Sequence, residues 1–535
     1  MALRDDEFPP LPSQRTIARC QPATLGKLRK APARKHDGLA TIMDLPDELL
    51  LEILKHLPPL DQVHFQLGSI LSLSLVNRRF HDVVAEHLYA NYNSLFCGPF
   101  PFLRTMMSNS VISQLVQSIN FRYGPGVHSS RPTYIRSLAD RRVIKAGFKV
   151  LDIPDWKSWA NDCCNEDCEQ DLLYAAILAH TRNVTNLEVD DGEVAYHVPK
   201  WIEIIRHAAG RAPFGQVHRF PHLKSIQIDI GRLRLRNLSP LFRLPSLRTV
   251  LLRGLMETSK VVKGDPFPFK WSITASSSSI EELLLPDCTI DSTVLAALLG
   301  SCRAIKKLKY EHVDHRWPYL CDRLFPWWED RNDDGHFGFA PLHYPTIAKA
   351  LHRHKSTLED LHLAHNIVET RHYKYRLIGH LGSLQDTQNI TELRTTFRAL
   401  LDIATEPASI LVELLPPSLT TLVFVIDYFH EHLECMRALE HLAVYGQEYL
   451  PKLEVLSLEI GAVDDNFNFS RRLRINYDFE HLQKLLRENG VKLFVNGTDD
   501  GFNKHVKTWK APSWDSTEES ESESDDEPLY SDDGS

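Results

Sequence analysis

From Val184 onward the apolar residues recur in one local figure: an aliphatic position, then two more at three and five residues beyond it. The figure stands at Val184-x-x-Leu187-x-Val189, Leu223-x-x-Ile226-x-Ile228, Leu247-x-x-Val250-x-Leu252, Ile280-x-x-Leu283-x-Leu285 and Ile305-x-x-Leu308-x-Tyr310. It continues at Leu358-x-x-Leu361-x-Leu363, Leu419-x-x-Leu422-x-Phe424 and Leu453-x-x-Leu456-x-Leu458, with a weaker unit near Ile390 to Phe397. The last two positions alternate with polar residues, the period of a short strand with one buried face, and the first supplies an inward-pointing turn residue. Successive units start 24 to 53 residues apart. Between or beyond them, helical stripes cover Gln170 to Thr181, Val198 to Ala209, Ser292 to Ser301, Thr346 to His354 and Phe479 to Arg487, the spacing expected of helices that return the chain to the next strand. One such unit cannot bury its apolar face alone, whereas stacked neighbours share a continuous core. The pattern predicts an α/β fold, an irregular curved solenoid of parallel strands and returning helices.

A different period governs the N-terminal part. Pro46 suits the first helical position because its missing N–H costs nothing there, and Asp47 and Glu48 favour the positive end of a helix. Leu49, Ile53 and Leu57, with Leu50 and Leu54 beside them, form an apolar stripe that Lys55, His56 and Pro58-Pro59 bring to an end. A second run, Leu73, Val76, Phe80, Val83, Val84 and Leu88, recurs at helical spacing with Arg78, Arg79, His81 and Asp82 opposite. The expectation is two amphipathic helices. A segment of about fifty residues is only marginally stable by itself, so these helices must share apolar surface with a partner or with the next domain.

Leu45-Pro46-Asp47-Glu48-Leu49-Leu50, Ile53-Leu54, Leu57, Asp61 and the closing Leu75-Val76-Asn77-Arg78-Arg79-Phe80 together resemble an F-box. The later repeats resemble degenerate leucine-rich repeats, and an F-box followed by such repeats is a layout of the large fungal-type F-box family. The resemblance implies a helical module over 41–95 that binds a Skp-type adaptor and through it a cullin. Leu45, Pro46, Leu49, Leu50, Ile53, Leu54, Leu57, Leu75, Val76, Arg79 and Phe80 would form the adaptor contact. It also implies that the rest of the chain receives a protein substrate for an SCF-type ubiquitin ligase. One departure is visible: the family pattern runs almost directly from the Asp61 position into Leu71-Ser72-Leu73-Ser74-Leu75, whereas here Gln62 to Ile70 are interposed. They lengthen a loop or extend a helix. That insertion keeps a second reading open, a non-catalytic interaction scaffold that enters no ligase.

Composition narrows the setting. With 43% hydrophobic and 24% charged residues the chain can bury a substantial core, and no apolar run approaches the length that spans a bilayer. Asp5, Asp6 and Glu7 occupy the place where a signal peptide needs an apolar stretch, and nine cysteines scattered from Cys20 to Cys435 suit a reducing compartment better than a disulfide framework. An intracellular protein of cytoplasm or nucleus, with no membrane association, is expected. Residues 515–535 hold ten acidic side chains and no Lys or Arg, so the net charge of −9 belongs to the tail and the remainder sums to +1. A balanced body offers no field for nucleic acid. Residues 1–40, rich in Pro and basic side chains, and the acidic, Ser-rich 501–535 lack the apolar periodicity of a core and are expected to be disordered. In the tail Ser516, Ser520, Ser522 and Ser524 each have an acid three residues on, a spacing similar to casein-kinase-type sites.

If 96–500 form a solenoid, the residues alternating with the inward positions line one exposed sheet face. Glu188, Asp190, Gln227, Asp229, Arg253, Glu282, Lys307, Lys309, Asp360 and His362 are its candidate substrate-binding side chains, acidic early and mixed in the middle. The aromatic insertion near 312–345 adds Trp327 and Trp328 as candidate anchors, since aromatic side chains are favoured in interface centres. Other chemical signals fail. Asp330-x-Asn332-x-Asp334-Gly335 begins like a calcium loop but places Pro341 where a bidentate Glu is needed. Cys163, Cys164 and Cys168 with His180 lack the second ligand pair of a zinc site, and His352, His354, His362 and His365 straddle a helix and a strand. The Arg-rich run from Arg232 to Arg253 lacks the aromatic interleaving of a nucleic-acid site. No nucleophile elbow, phosphate loop or dinucleotide fingerprint is present. No catalytic residue, metal or cofactor is therefore expected.

Overall fold

The computed structural model describes residues 42, 45–56, 63–123, 134–190, 198–210, 213–229, 233–259, 269–313, 342–366, 378–401, 410–426, 432–460 and 479–495. The two terminal arms, Leu57, the aromatic insertion with Trp327 and Trp328, and the calcium-like loop lie outside them.

Among its described residues the N-terminal module has three helices where the stripes predict two: α1 over Asp47–Lys55, α2 over Val63–Val76 and α3 over Arg78–Ala90. Residues from Val63 to Ile70 are helical, so the interposed stretch extends a helix. The second stripe is broken at Asn77, whose extended backbone (φ −167°) takes it out of α2 and whose side chain accepts the Phe80 N–H at 3.0 Å, capping α3. Ile70 and Val84 form a small core, packed by Leu51, Leu73, Val83 and Leu88 from all three helices.

Helix α3 passes into β1 (Asn91–Asn93) with no intervening residue, so the sheet begins inside the span expected to be wholly helical. The remaining strands are β2 (Ser118–Arg122), β3 (Asn186–Asp190), β4 (Ser225–Asp229), β5 (Thr249–Arg253), β6 (Met256–Glu257), β7 (Glu282–Ile290), β8 (Lys307–Val313), β9 (Asp360–Asn366), β10 (Glu392–Thr396), β11 (Thr421–Ile426), β12 (Val455–Ile460) and β13 (Lys492–Val495). All pairings are parallel, and strands follow one another across the sheet in chain order, with β6 off this path and paired to β7. Helices over Gln170–His180, Lys200–Ala209, Ser292–Ser301, Tyr344–Leu351 and Phe479–Glu488 lie where the stripes place them.

The repeated figure sets the register. Leu187 pairs with Ile226, Ile226 with Val250, Val250 with Leu283, Leu283 with Leu308 and Leu308 with Leu361, and the series runs on through Leu393 and Leu422 to Leu456. Each unit therefore stacks its inward residues on those of its neighbours, and one apolar core extends from Tyr92 to Val495. The turn residues Val184, Leu223, Leu247, Ile305, Leu358, Ile390 and Leu419 are fully buried. Beside them the backbone ladder starts one residue ahead of the strands: Lys224 N–H donates to Thr185, Arg248 to Lys224, Lys306 to Glu281 and Thr420 to Thr391, all within 2.7–2.9 Å. Four strands escaped the sequence reading. Of these, β2 carries the figure in full as Val116-x-x-Ile119-x-Phe121, while β1, β6 and β13 are shorter.

Two histidines fasten returning helices to the sheet. His218 accepts the Phe220 N–H at Nδ1 (3.2 Å) and presents Nε2 to the Leu178 carbonyl (3.1 Å). His354 repeats this with Ile305 N–H (3.2 Å) and the Leu299 carbonyl (3.1 Å). Each ring serves as a neutral cap for a helix C-terminus that has run out of intrahelical donors.

Candidate functional site

Two surfaces stand out, one on the helical module and one on the sheet. On α1, Leu50 is 2% exposed and turns inward, whereas Leu49 and Ile53, one helical turn apart, are 49% and 44% exposed. At the end of α2, Leu75 and Val76 are each 62% exposed. Of the side chains that the resemblance assigns to the adaptor contact, Leu49, Ile53, Leu75 and Val76 are thus free to meet a partner. Leu50 and Phe80 are spent inside the module. Apolar side chains of this size lose about 1.5–3 kcal/mol each by remaining in water rather than being fully buried.

Arg79 fixes the geometry of that surface. Its Nε and Nη2 bind Asp47 Oδ1 at 2.9 and 2.7 Å, and Nη2 also donates to the Leu45 carbonyl. One guanidinium thereby ties the start of α1 to the start of α3 across a chain separation of more than thirty residues, and Pro46, exposed, sits between the two tethered positions. Asp47, Leu51, Arg78, Arg79, Asp82, Val83 and Glu86 line an open groove between these helices. The structure gives Arg79 an anchoring position within the module, a role that the motif alone did not distinguish from direct contact. Side-chain surroundings of Leu54 lie outside the described residues, as does Leu57.

On the sheet, the alternating positions form a ladder of ion pairs. Arg122 of β2 binds Glu188 at 3.2 Å and also Asp190, both on β3. Arg253 of β5 lies 3.1 Å from Asp229 on β4 and 3.2 Å from Asp287 on β7. Thr249 donates to Glu282 at 3.1 Å, Lys307 pairs with Asp360, Lys309 with Glu311 at 3.0 Å, and Arg394 reaches over β11 to Glu459. Gln227 is half-buried among them. The acidic character expected early in the face is therefore offset by Arg122 and Arg253. Arg122 escaped the sequence reading because its strand did, and Arg394 because its unit is the weak one.

Burial tunes this face. Asp229 is raised above the ordinary carboxylate value by burial, against the pull of Arg253, whose contact lacks hydrogen-bond alignment. Lys307 is raised by its hydrogen bond to Asp360. His362 stands 3.5 Å from Glu311, which would suit an imidazolium, yet burial first, then Arg394, Lys309 and Lys307, push it down to about 3. We take the ring as neutral at physiological pH, because three cations outweigh one carboxylate already shared with Lys309. The result is a corrugated surface of paired donors and acceptors around a buried imidazole.

The remaining candidates separate. His352 and His354 lie in a turn after the Tyr344–Leu351 helix, with His354 capping Leu299, while His365 Nδ1 lies 3.1 Å from the Tyr344 hydroxyl in the core. His180 packs edge-on against Phe148. Among the described residues no group of three or more His, Cys, Asp or Glu is placed to hold a metal ion, and no helix is long and apolar enough to cross a membrane.

Residues 42–93 match the family model described as F-box-like. The match spans α1 to α3 and β1, so it covers the exposed Leu49, Ile53, Leu75 and Val76. F-box domains in general bind Skp-type adaptors and serve SCF-type ubiquitin ligases. Among curated proteins none matches the chain.

Proposed function

We propose that this chain is the substrate-recognition subunit of an SCF-type ubiquitin ligase. Leu49, Ile53, Leu75 and Val76 dock on a Skp-type adaptor and through it a cullin, and the sheet face captures a protein target. The chain itself is not an enzyme: it acts by proximity, holding the target while the assembled ligase transfers ubiquitin. The observation that carries this reading is the set of four large apolar side chains held out in solvent on a module that matches the F-box-like family.

The parallel strands in chain order, with inward residues in register, support reading the sheet as a leucine-rich-repeat-like solenoid whose alternate positions form an extended recognition surface. The ion-pair ladder on that surface favours a target with mixed charge, able to exchange partners with Arg122, Arg253, Lys307 and Arg394, over a polyanion.

Co-purification with a recombinant Skp-type adaptor tests the proposal. The wild-type chain should retain the adaptor and Leu49→Glu with Ile53→Glu should lose it, with unchanged circular dichroism because both positions face solvent. A wild-type chain that recovers no adaptor would instead support the scaffold reading.

A further inference from the structure

Ser137 and Asp140 open the Leu138–Leu151 helix with a reciprocal capping box: the Ser137 hydroxyl accepts the Asp140 N–H at 3.1 Å and the Asp140 carboxylate accepts the Ser137 N–H at 2.9 Å. Asp140 is the only acid in that helix, and it is buried and also bound by Arg104. Ile144, Gly147, Phe148 and Leu151 turn into the core. The opposite side carries Arg141, Arg142, Lys145 and Lys149, all exposed. These four fall within an arc of about 100° and within about 12 Å along the helix axis. Leu138 and Val150, each 74% exposed, stand at the two ends of the row. On the sheet face Arg122, Arg253, Lys307, Lys309 and Arg394 are each met by a carboxylate. Among the described residues none of the four helix cations has an ion-pair partner. Arg141, Lys145 and Lys149, one turn apart in series, therefore repel one another with nothing to offset them.

The same chain supplies a complementary segment. Residues 515–535 hold ten acidic side chains and no Lys or Arg. Within them, Asp525-Asp526-Glu527-Pro528-Leu529-Tyr530-Ser531-Asp532-Asp533 places two large apolar side chains between two acidic clusters. The helix face has the matching composition, a row of cations with an exposed aliphatic side chain at each end. Reach is sufficient. Residues 496–524 follow the last strand and can span about 95 Å when extended. The ten strand steps from β13 back to β2, the strand that precedes the helix, amount to about 50 Å.

We infer that the acidic segment 525–533 docks on the exposed face of the Leu138–Leu151 helix of its own chain. Its carboxylates pair with Arg141, Arg142, Lys145 and Lys149, and Leu529 and Tyr530 cover Leu138 or Val150. Single exposed ion pairs are weak, but several act together here and the covalent tether raises the local concentration of the segment. Phosphate at Ser522 or Ser524 adds about −1.5 to −2 charge each beside Asp525, so modification of these sites tightens the contact. The face shares no residue with the adaptor and target surfaces proposed above, and docking on it needs neither of them.

The test uses the full chain, treated with a carbodiimide that joins touching carboxylates and amines directly, and maps the linked peptides by mass spectrometry. The carboxylates of 525–533 should link to Lys145 and Lys149 in preference to the other lysines. A mixture of isotopically light and heavy chains should give only light–light and heavy–heavy links, as an intrachain contact requires. Arg141→Glu with Arg142→Glu leaves both lysines available for coupling and should lower the yield roughly fivefold. Raising the salt to about 0.5 M should lower it as well, because the screening length then falls to a few ångströms. Leu529→Ala with Tyr530→Ala should lower it while every charge is retained. Links spread evenly over the lysines, links between light and heavy chains, or a yield that the arginine variant leaves unchanged overturn the inference. Unlinked Lys145 and Lys149 on a chain that sediments with phosphatidylserine vesicles overturn it too, and assign the face to an anionic lipid surface. The wild-type map alone decides whether or not a variant folds.

Discussion

His218 and His354 show how single side chains can make this fold pH-sensitive without any role in recognition. Each accepts a backbone N–H at Nδ1, and the proton that arrives on acidification must go to that nitrogen and break the bond. Burial holds His218 at about 4, below the 6.5 of an unrestrained ring, and lowers His354; His180, buried beside His218, is also held at about 4. A base whose folded value lies below its unfolded one binds fewer protons when folded, so its contribution is intact above 6.5 and is lost as pH falls from 6.5 toward 4. For His218 the loss on full protonation is on the order of 3 kcal/mol. Denaturant unfolding measured along that descent should show falling stability, with a shallower slope in His218→Gln. An unchanged slope in the variant would assign the pH dependence elsewhere.

Helix α1 has two faces with opposite demands. Leu50 is buried and Leu49 beside it is not, so Leu50→Ala should cost about 2–3 kcal/mol, as deletions at well-packed sites do. Leu49→Ala should stay within about 0.5 kcal/mol, as surface changes do. Chemical denaturation of the two variants checks the pair, and equal losses would mean that Leu49 packs inside the module. The sequence made much of this element legible: Pro46, the two acids after it and the Leu stripe mark its start and its apolar side. Only the structure shows which leucines of that stripe are consumed internally, because α2 and α3 approach it from residues far along the chain. The break at Asn77 was hidden for a different reason. Leu73, Val76, Phe80 and Val83 keep a helical period across it, and the one signal, an Asn able to cap, reads equally as part of the closing motif. Strand β2 could have been found from Val116, Ile119 and Phe121. Strand β1 could not, since only Tyr92 and the buried Ser94 just past it turn inward. On the sheet face, period two gave the outward positions, but which charges meet depends on register, which units spaced 24 to 53 residues apart leave open. Arg394 meeting Glu459 across an intervening strand could not be read from either unit alone.

At the scale of the whole molecule, the module and the sheet share a seam. Tyr92 of β1 stacks on Phe102 at 4.1 Å and meets Phe121 of β2 edge-on at 6.3 Å. The Ala90 carbonyl at the end of α3 accepts the Gln117 N–H at 2.8 Å, and Ser94 both donates to the Asn120 carbonyl and accepts the Arg122 N–H. These bonds bring the end of α3 against the strand that carries Arg122, so the helices of the N-terminal module and the first rung of the ladder are positioned together. A boundary drawn after residue 95 would cut through this seam, remove β1 and leave the edge of β2 unpaired, with Phe102 and Phe121 uncovered. A chain shortened to begin at residue 77 keeps α3, β1 and Tyr92; one shortened to begin at residue 96 loses all three. Loss of the Tyr92 ring alone should cost about 3–5 kcal/mol, so the shorter chain should melt several degrees lower and associate through its open strand edge, while the longer one stays monodisperse. Differential scanning calorimetry with light scattering distinguishes them. Equal melting and equal monodispersity would mean that the module is a detachable appendage, and the proposed ligase would then have to orient its target without help from the seam.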